Sequence, residues 1–121
     1  MSLPDNYPLN QRRVYAYMAD ISTAGSAFSA APFRGRIVKM GSVIYNAITV
    51  ADAGITSKIA GTSITGGGWT IAESGSAAGD VDTALPTAAY DVNEDDPIEF
   101  ISDGGSTTTC PAMFFADIIA T

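Results

Sequence analysis

Turn-forming residues interrupt this chain about every 8–12 positions, and between them no stretch holds three helical turns of apolar periodicity. The breaks fall at Asp52-Ala53-Gly54, Gly66-Gly67-Gly68, Glu73 to Gly79, Pro86, Asn93 to Pro97 and Asp103-Gly104-Gly105. Segments this short cannot become stable helices, but they suit strands joined by tight connections. Composition agrees: Ala, Gly, Ser and Thr make up 54 of 121 residues, and a hydrophobic fraction of 46% is too high for general disorder. The pattern predicts an all-β fold, an antiparallel β-sandwich of about seven to nine strands, jelly-roll-like or immunoglobulin-like. Periodicity alone leaves both topologies open.

Several segments can be placed along the chain. Residues 1–13 carry Pro4, Pro8 and few large apolar groups, and read as an extended N-terminal arm or a frayed end ahead of one domain over 14–121. Val14 to Ile21 alternates imperfectly and fits a strand or a short helix. Ile21 to Pro32 reads as a loop with Phe28 held against something apolar. Phe33 to Met40 and Val43 to Val50 read as a hairpin turning at Gly41-Ser42, with Arg34 and Arg36 on one face. Further strands are expected near Ile55 to Ala60, Trp69 to Ala72, Asp80 to Ala84, Ile98 to Ile101 and Met113 to Ile119.

The residue inventory removes most catalytic chemistry. There is no histidine and one cysteine, so this chain has no Ser-His-Asp or Cys-His system, no histidine-ligated metal site and no internal disulfide. Enzyme activity is not expected, and neither is a cofactor. Cys110 reads as a small buried hydrophobe near the last strand. The triple glycine lacks the lysine of a phosphate loop and reads as a turn. Asp80, Asp82, Asp91, Glu94, Asp95 and Asp96 could offer oxygens to a hard cation, but their spacing matches no calcium loop and solvated turns are the expectation. Trp69 with Tyr15, Tyr17 and Tyr45 could form a sugar-stacking platform, whereas a lone tryptophan beside Ile71 reads more simply as core or edge. No signal leader is apparent at the N-terminus, and no run approaches the length of a membrane span.

Charge is unevenly distributed. Residues 1–60 hold all six cations (Arg12, Arg13, Arg34, Arg36, Lys39, Lys58) and three acids, whereas residues 61–121 hold ten acids and no cation. The net charge of -7 disfavours a nucleic-acid partner. Two readings remain: the halves neutralise each other within one fold, or basic and acidic surfaces meet between molecules.

The runs Phe33-Arg34-Gly35-Arg36-Ile37-Val38-Lys39, Ile64-Thr65-Gly66-Gly67, Ser74 to Val81, Leu85-Pro86-Thr87 and Phe100 to Gly105 resemble the capsid decoration, or cement, proteins of tailed bacteriophages. The likeness spans roughly residues 30–120 and lies in general character, with short Thr/Ala/Gly-rich strands, acidic turns and no catalytic residues. It implies a sandwich that binds the outer surface of the major capsid protein lattice and stabilises the phage head. It also implies a virion location after synthesis in the host cytoplasm, no membrane partner, and a homo-oligomer, a trimer ahead of a dimer. On this reading Tyr7, Leu9, Arg12, Arg13, Arg34 and Arg36 are the candidate partner-binding residues. The alternative is a carbohydrate- or receptor-binding β module of a phage head fibre or tail.

Overall fold

The computed structural model describes residues 10–121. Among them the chain forms ten strands and no helix. These are β1 (Gln11–Met18), β2 (Gly25–Ala30), β3 (Gly35–Ile44), β4 (Ala53–Ile59), β5 (Thr62–Ser63), β6 (Trp69–Ile71), β7 (Val81–Ala84), β8 (Asp91–Val92), β9 (Pro97–Ser102) and β10 (Ala112–Ala120). They make two antiparallel sheets. One has the order β1-β10-β3-β7, with β8 also on β3; the other has β2-β9-β4-β5, with β6 also on β4.

The pairings trace one long antiparallel ribbon. Its rungs are β1 with β10, β2 with β9, β3 with β7 and β8, and β4 with β5 and β6. Successive rungs alternate between the sheets, which is how a hairpin wraps into a jelly roll. Of the two sandwich topologies expected, strand order selects the jelly roll. Its folded tip is the tight turn at Ala60-Gly61, where both residues take positive φ.

Alternation along the strands fills the space between the sheets. Ile37, Met40, Ile44, Phe114 and Ile118 enter from one side, and Ile55, Ile98 and Phe100 from the other; all are buried. Phe100 and Phe114 stack across the middle with ring centroids 5.3 Å apart. At the β5–β8 edge, Thr65 bridges to Ala88 and ties the two sheets together.

Three local expectations are corrected. Gly41-Ser42 is not a turn: β3 runs straight through it to Ile44, so of the expected strand Val43 to Val50 only Val43 and Ile44 are strand, as the end of β3, and Tyr45 to Val50 is loop. A glycine is needed there for close approach, since a Cβ at position 41 would lie 2.5 Å from the Phe115 ring and 2.6 Å from the Asp82 carbonyl. The single alternation expected over 33–40 also breaks. A register shift against β10 leaves Val38 unpaired, so Arg36 and Lys39 face out while Ile37 and Met40 face in.

Residues 21–32, expected as loop, contain β2, because β9 offers a full edge for Gly25–Ala30 to pair with. Phe28 is accordingly 61% exposed on the outer side instead of being held in an apolar niche. Val14 to Met18 is strand, not helix, and β1 begins at Gln11. Gln11, Arg12 and Arg13 pair with Ile119, Ile118 and Asp117, so these three residues belong to the sheet and not to an arm. Residues 1–9 of the expected arm lie outside the described residues.

Candidate interaction surfaces

Strand direction sorts the connections into two ends. Loops 19–24, 45–52, 72–80 and 103–111 gather at one end, since β1, β3, β6 and β9 all finish there. They are tied to one another: Ser76 Oγ accepts from Ile48 N and donates to Ile48 O, both at 2.9 Å, and Glu73 N donates to Asp52 Oδ1 at 2.8 Å. Buried Cys110 fills space beneath them, its Sγ donating to Asn46 O at 3.3 Å.

This loop end carries Asp20, Asp52, Glu73, Asp80 and Asp103 and, among the described residues, no cation. Four of the five carboxylates accept backbone N–H groups: Asp20, Asp80 and Asp103 within their own turns, from Ser22, Ala77 and Gly105, and Asp52 and Asp103 across loops, from Glu73 and Gly54. Asp20 is held below the ordinary aspartate pKa, chiefly by the Ser22 hydroxyl and then by the Ser22 N–H. Asp82 stands opposite Ser42 at the sheet edge; burial, with a smaller push from Asp80, raises its pKa. Among the described residues, no group of three or more Asp, Glu, Cys or His is placed to hold a metal ion.

The opposite end mixes charges: the acidic turn Asn93–Asp96 lies beside Ala31 there, and three cations stand at the same end. Arg12 is at the start of β1, Arg34 sits in the turn before β3, and Arg36 follows within β3; all three are exposed. Arg34 and Arg36 therefore do not share a strand face, although the pairing of Thr121 N with Arg34 O keeps both beside the end of β10. Arg36 lies 5.5 Å from the Tyr90 ring centroid. Among the described residues the one ion pair is Arg13 with Asp117. Register sets three further first-half cations opposite second-half acids on neighbouring strands, Lys39 with Asp117, Arg36 with Asp91 and Lys58 with Glu99, none of them within ion-pair distance, so the two halves face each other inside the fold. Tyr7 and Leu9, the apolar candidates, lie outside the described residues.

The outer face of the β1-β10-β3-β7 sheet is a feature that one-dimensional reading missed. Register places Tyr17, Met113, Val43 and Val81 in one cross-strand row and Tyr15, Phe115, Gly41 and Thr83 in the next. Tyr15 and Tyr17 are 57% and 55% exposed. The alternation of β1 and β10 held the signal, but only the register shows that the two outward stripes are adjacent. Phe115 is buried on this outward side, covered by the Arg13 guanidinium 4.0 Å above its ring.

The sugar-platform residues are not brought together. Tyr17 and Tyr45 are neighbours, with centroids 6.3 Å apart, on the outside of one sheet. Trp69 instead tucks between the sheets, its indole N–H donating to buried Ser42 Oγ at 3.0 Å and its ring 6.3 Å from Phe114. Trp69 also borders an open depression of about 420 Å³ on the other sheet, lined by Gly54, Thr56, Gly68, Thr70, Ile101 and Asp103. No carboxylate pair or nucleophile–base pair converges there.

Strand order and surfaces define the class: a jelly roll, ten-stranded among the described residues, with one acidic loop end, an opposite end where Arg12, Arg34 and Arg36 stand with the Asp91–Asp96 acids, and one aromatic outer face. No family model and no curated protein sequence matches the chain. Among solved structures, a chain of the cyanophage Pam1 capsid asymmetric unit superposes with a TM-score of 0.57 at 11% identity, covering 100% of this chain and 93% of that one. A chain from Bacillus endospore appendages, a family of disulfide-linked pili, aligns over 100% of this chain and 98% of that one at 15% identity and a TM-score of 0.43. The capsid likeness establishes a common fold; the pilus likeness is too loose to argue from.

Proposed function

We propose that this chain is a virion structural protein of a tailed bacteriophage that binds the outer surface of the major capsid protein lattice and stabilises the head. The observation that carries the reading is the end-to-end likeness to a chain of a phage capsid asymmetric unit. The residues are compatible with it. Arg12, Arg34 and Arg36 are exposed, have no carboxylate within ion-pair distance among the described residues, and stand at the end where β1 begins, beside the acidic Asn93–Asp96 turn. They form the shell-binding end, with Tyr7 and Leu9 as apolar anchors; Arg13 is committed to Asp117 and contributes less. The protein acts as a homo-oligomer on the capsid exterior after synthesis in the host cytoplasm, without a catalytic activity of its own. Many copies on a repeating shell convert modest contacts into firm attachment.

Co-sedimentation with expanded, undecorated shells tests this reading. Wild-type protein is expected to pellet with shells, and Arg34→Glu/Arg36→Glu to pellet less at low salt. A truncation lacking residues 1–9, which leaves β1 intact, is expected to fold and bind more weakly. Failure of the wild type to pellet at any salt concentration rejects the proposal. Saturable binding on a glycan array would favour the fibre-module alternative instead.

A further inference from the structure

We propose that the free edge of β2 pairs with β2 of a second copy of this chain about a two-fold axis, joining the β2-β9-β4 sheets of the two copies into one continuous sheet. The inference stands without the capsid reading.

β2 ends its sheet: its six residues, Gly25–Ala30, pair with β9 on one side and with no strand on the other among the described residues. The Ala31 N–H donates to the Asp96 carbonyl, and Pro97, which has no N–H, stands opposite Ala30. Alternation from there turns the main-chain groups of Ala27 and Ser29 toward β9 and those of Ser26, Phe28 and Ala30 away from it. No backbone group among the described residues meets that second set. The same three residues are exposed. A row of unpaired N–H and C=O groups is satisfied in full only by another extended backbone.

The other edges are guarded and this one is not. β1 carries Arg12 and Arg13, β7 is four residues long and carries Asp82, and β5, β6 and β8 are two or three residues long. β2 has no charge, no proline and an unbroken register with β9.

That chemistry selects the occupant. Residues 1–9 carry Pro4 and Pro8, which lack the N–H groups that a ladder needs. Among the described residues β2 is the longest edge strand without a charge, so its best match is a second β2. A two-fold axis at Phe28 sets Phe28 opposite Phe28 of the second copy and Ser26 opposite Ala30, with about six N–H···O bonds along the seam. Two rings otherwise exposed to water then form a cross-strand aromatic pair. The row across the joined sheet reads Lys58, Glu99, Phe28 and then the same in reverse. Glu99 accepts from Ser26 Oγ within its own copy and stands three strand spacings, about 14 Å, from its mate, beyond the screening length of about 8 Å. Like charges therefore do not oppose the contact. Six residues at about 3.4 Å make a seam about 20 Å long, and two sheets about 10 Å apart with their side chains give roughly 400 Å² per copy. About 800 Å² in all lies in the range of weak, reversible contacts. The contact closes at two copies, not at the three implied by the resemblance.

Sedimentation equilibrium on the full chain is the test. The wild type is expected to dimerise reversibly with little response to salt. Phe28→Pro removes an N–H that bonds nothing within one copy, so the fold is kept while dimerisation weakens by about tenfold or more. Phe28→Lys sets like charges together at the two-fold axis and should weaken it as much. Tyr17→Asp, on the other sheet, should leave it unchanged. A monomer at all concentrations, a trimer, or a dimer that depends on Tyr17 and not on Phe28 overturns the proposal. Amide hydrogen exchange needs no variant: protection at Ser26, Phe28 and Ala30 should rise with protein concentration. Protection there that ignores concentration also overturns the proposal, as does protection that appears only when shells are added, which would assign the edge to a strand of the shell. Loss of shell binding leaves these outcomes untouched, so this inference and the capsid reading fail separately.

Discussion

Arg13 grips Asp117 from the neighbouring strand with two hydrogen bonds, Nε to Oδ1 at 2.6 Å and Nη2 to Oδ2 at 3.0 Å, while its guanidinium covers the Phe115 ring. The carboxylate side chain is 8% exposed and the guanidinium partner 40%. One arginine thereby satisfies a buried acid and shields an outward-facing aromatic ring.

Removing the arginine alone should be the harsher change. Arg13→Ala strands Asp117 without its partner and uncovers Phe115, with an expected cost of about 2 kcal/mol, below the usual figure for fully buried pairs because Arg13 is partly solvated. The double variant Arg13→Met/Asp117→Leu should recover most of that loss. Urea denaturation of the two variants checks the order; equal stability would mean that the pair is idle.

Gly41 should tolerate nothing larger. Gly41→Ala drives a methyl group into the Phe115 ring and the Asp82 carbonyl, and a loss of about 2–3 kcal/mol is expected. Gly25→Ala is the control, since only the Thr23 carbonyl, at 4.0 Å, is within reach of its Cβ. That variant should be neutral or stabilising by about 0.5 kcal/mol through the unfolded chain. Thermal unfolding of both separates close packing from general glycine effects.

The two perturbed aspartates should act with opposite sign. Asp20 has a lowered folded-state pKa, so its contribution is complete above the unfolded value of about 3.9 and is lost as pH falls through the folded value. Asp82 has a raised folded-state pKa, so it opposes folding above that value and the penalty fades as pH falls through it. Asp20→Asn should therefore flatten the acid limb of stability. Asp82→Asn should raise stability at neutral pH and bring no gain at low pH. Denaturation midpoints across pH 3 to pH 7, roughly the carboxylate range, test both signs.

Val50 adopts φ 75°, a left-handed conformation in which a β-branched side chain is strained, and it is 78% exposed in the 45–52 loop. Val50→Gly relieves that strain without removing packing. A gain of about 1 kcal/mol is expected by chemical denaturation; a loss would show that the Val50 side chain makes a contact worth more than the strain.

Trp69 supplies a spectroscopic check on its own placement. Its half-buried indole bonded to Ser42 should emit at shorter wavelength than exposed tryptophan, and Ser42→Ala should shift that emission and cost about 1 kcal/mol. Added oligosaccharide should leave the emission unchanged, whereas a stacking platform would respond to it.

Sequence alone determined the all-β class, the positions of most turns and the strands around Trp69–Ile71, Ile98–Ile101 and Met113–Ile119. Alternation and turn chemistry act between residues a few positions apart, so they are written locally. Tertiary structure alone decided the rest. Gly41 carries the same local signal whether it turns a hairpin or lies under a ring, and only Phe115, brought alongside by β10, settles which. The bulge at Val38 and the strand identity of Gly25–Ala30 likewise depend on partners supplied by β10 and β9. The charge split between the halves was visible at once, but its meaning was not. Arg13 and Asp117, 104 residues apart, neutralise each other, while Arg36 faces Asp91 and Lys58 faces Glu99 across neighbouring strands without forming an ion pair. Which charges meet is fixed by strand register, and register follows from wrapping the whole ribbon around one core.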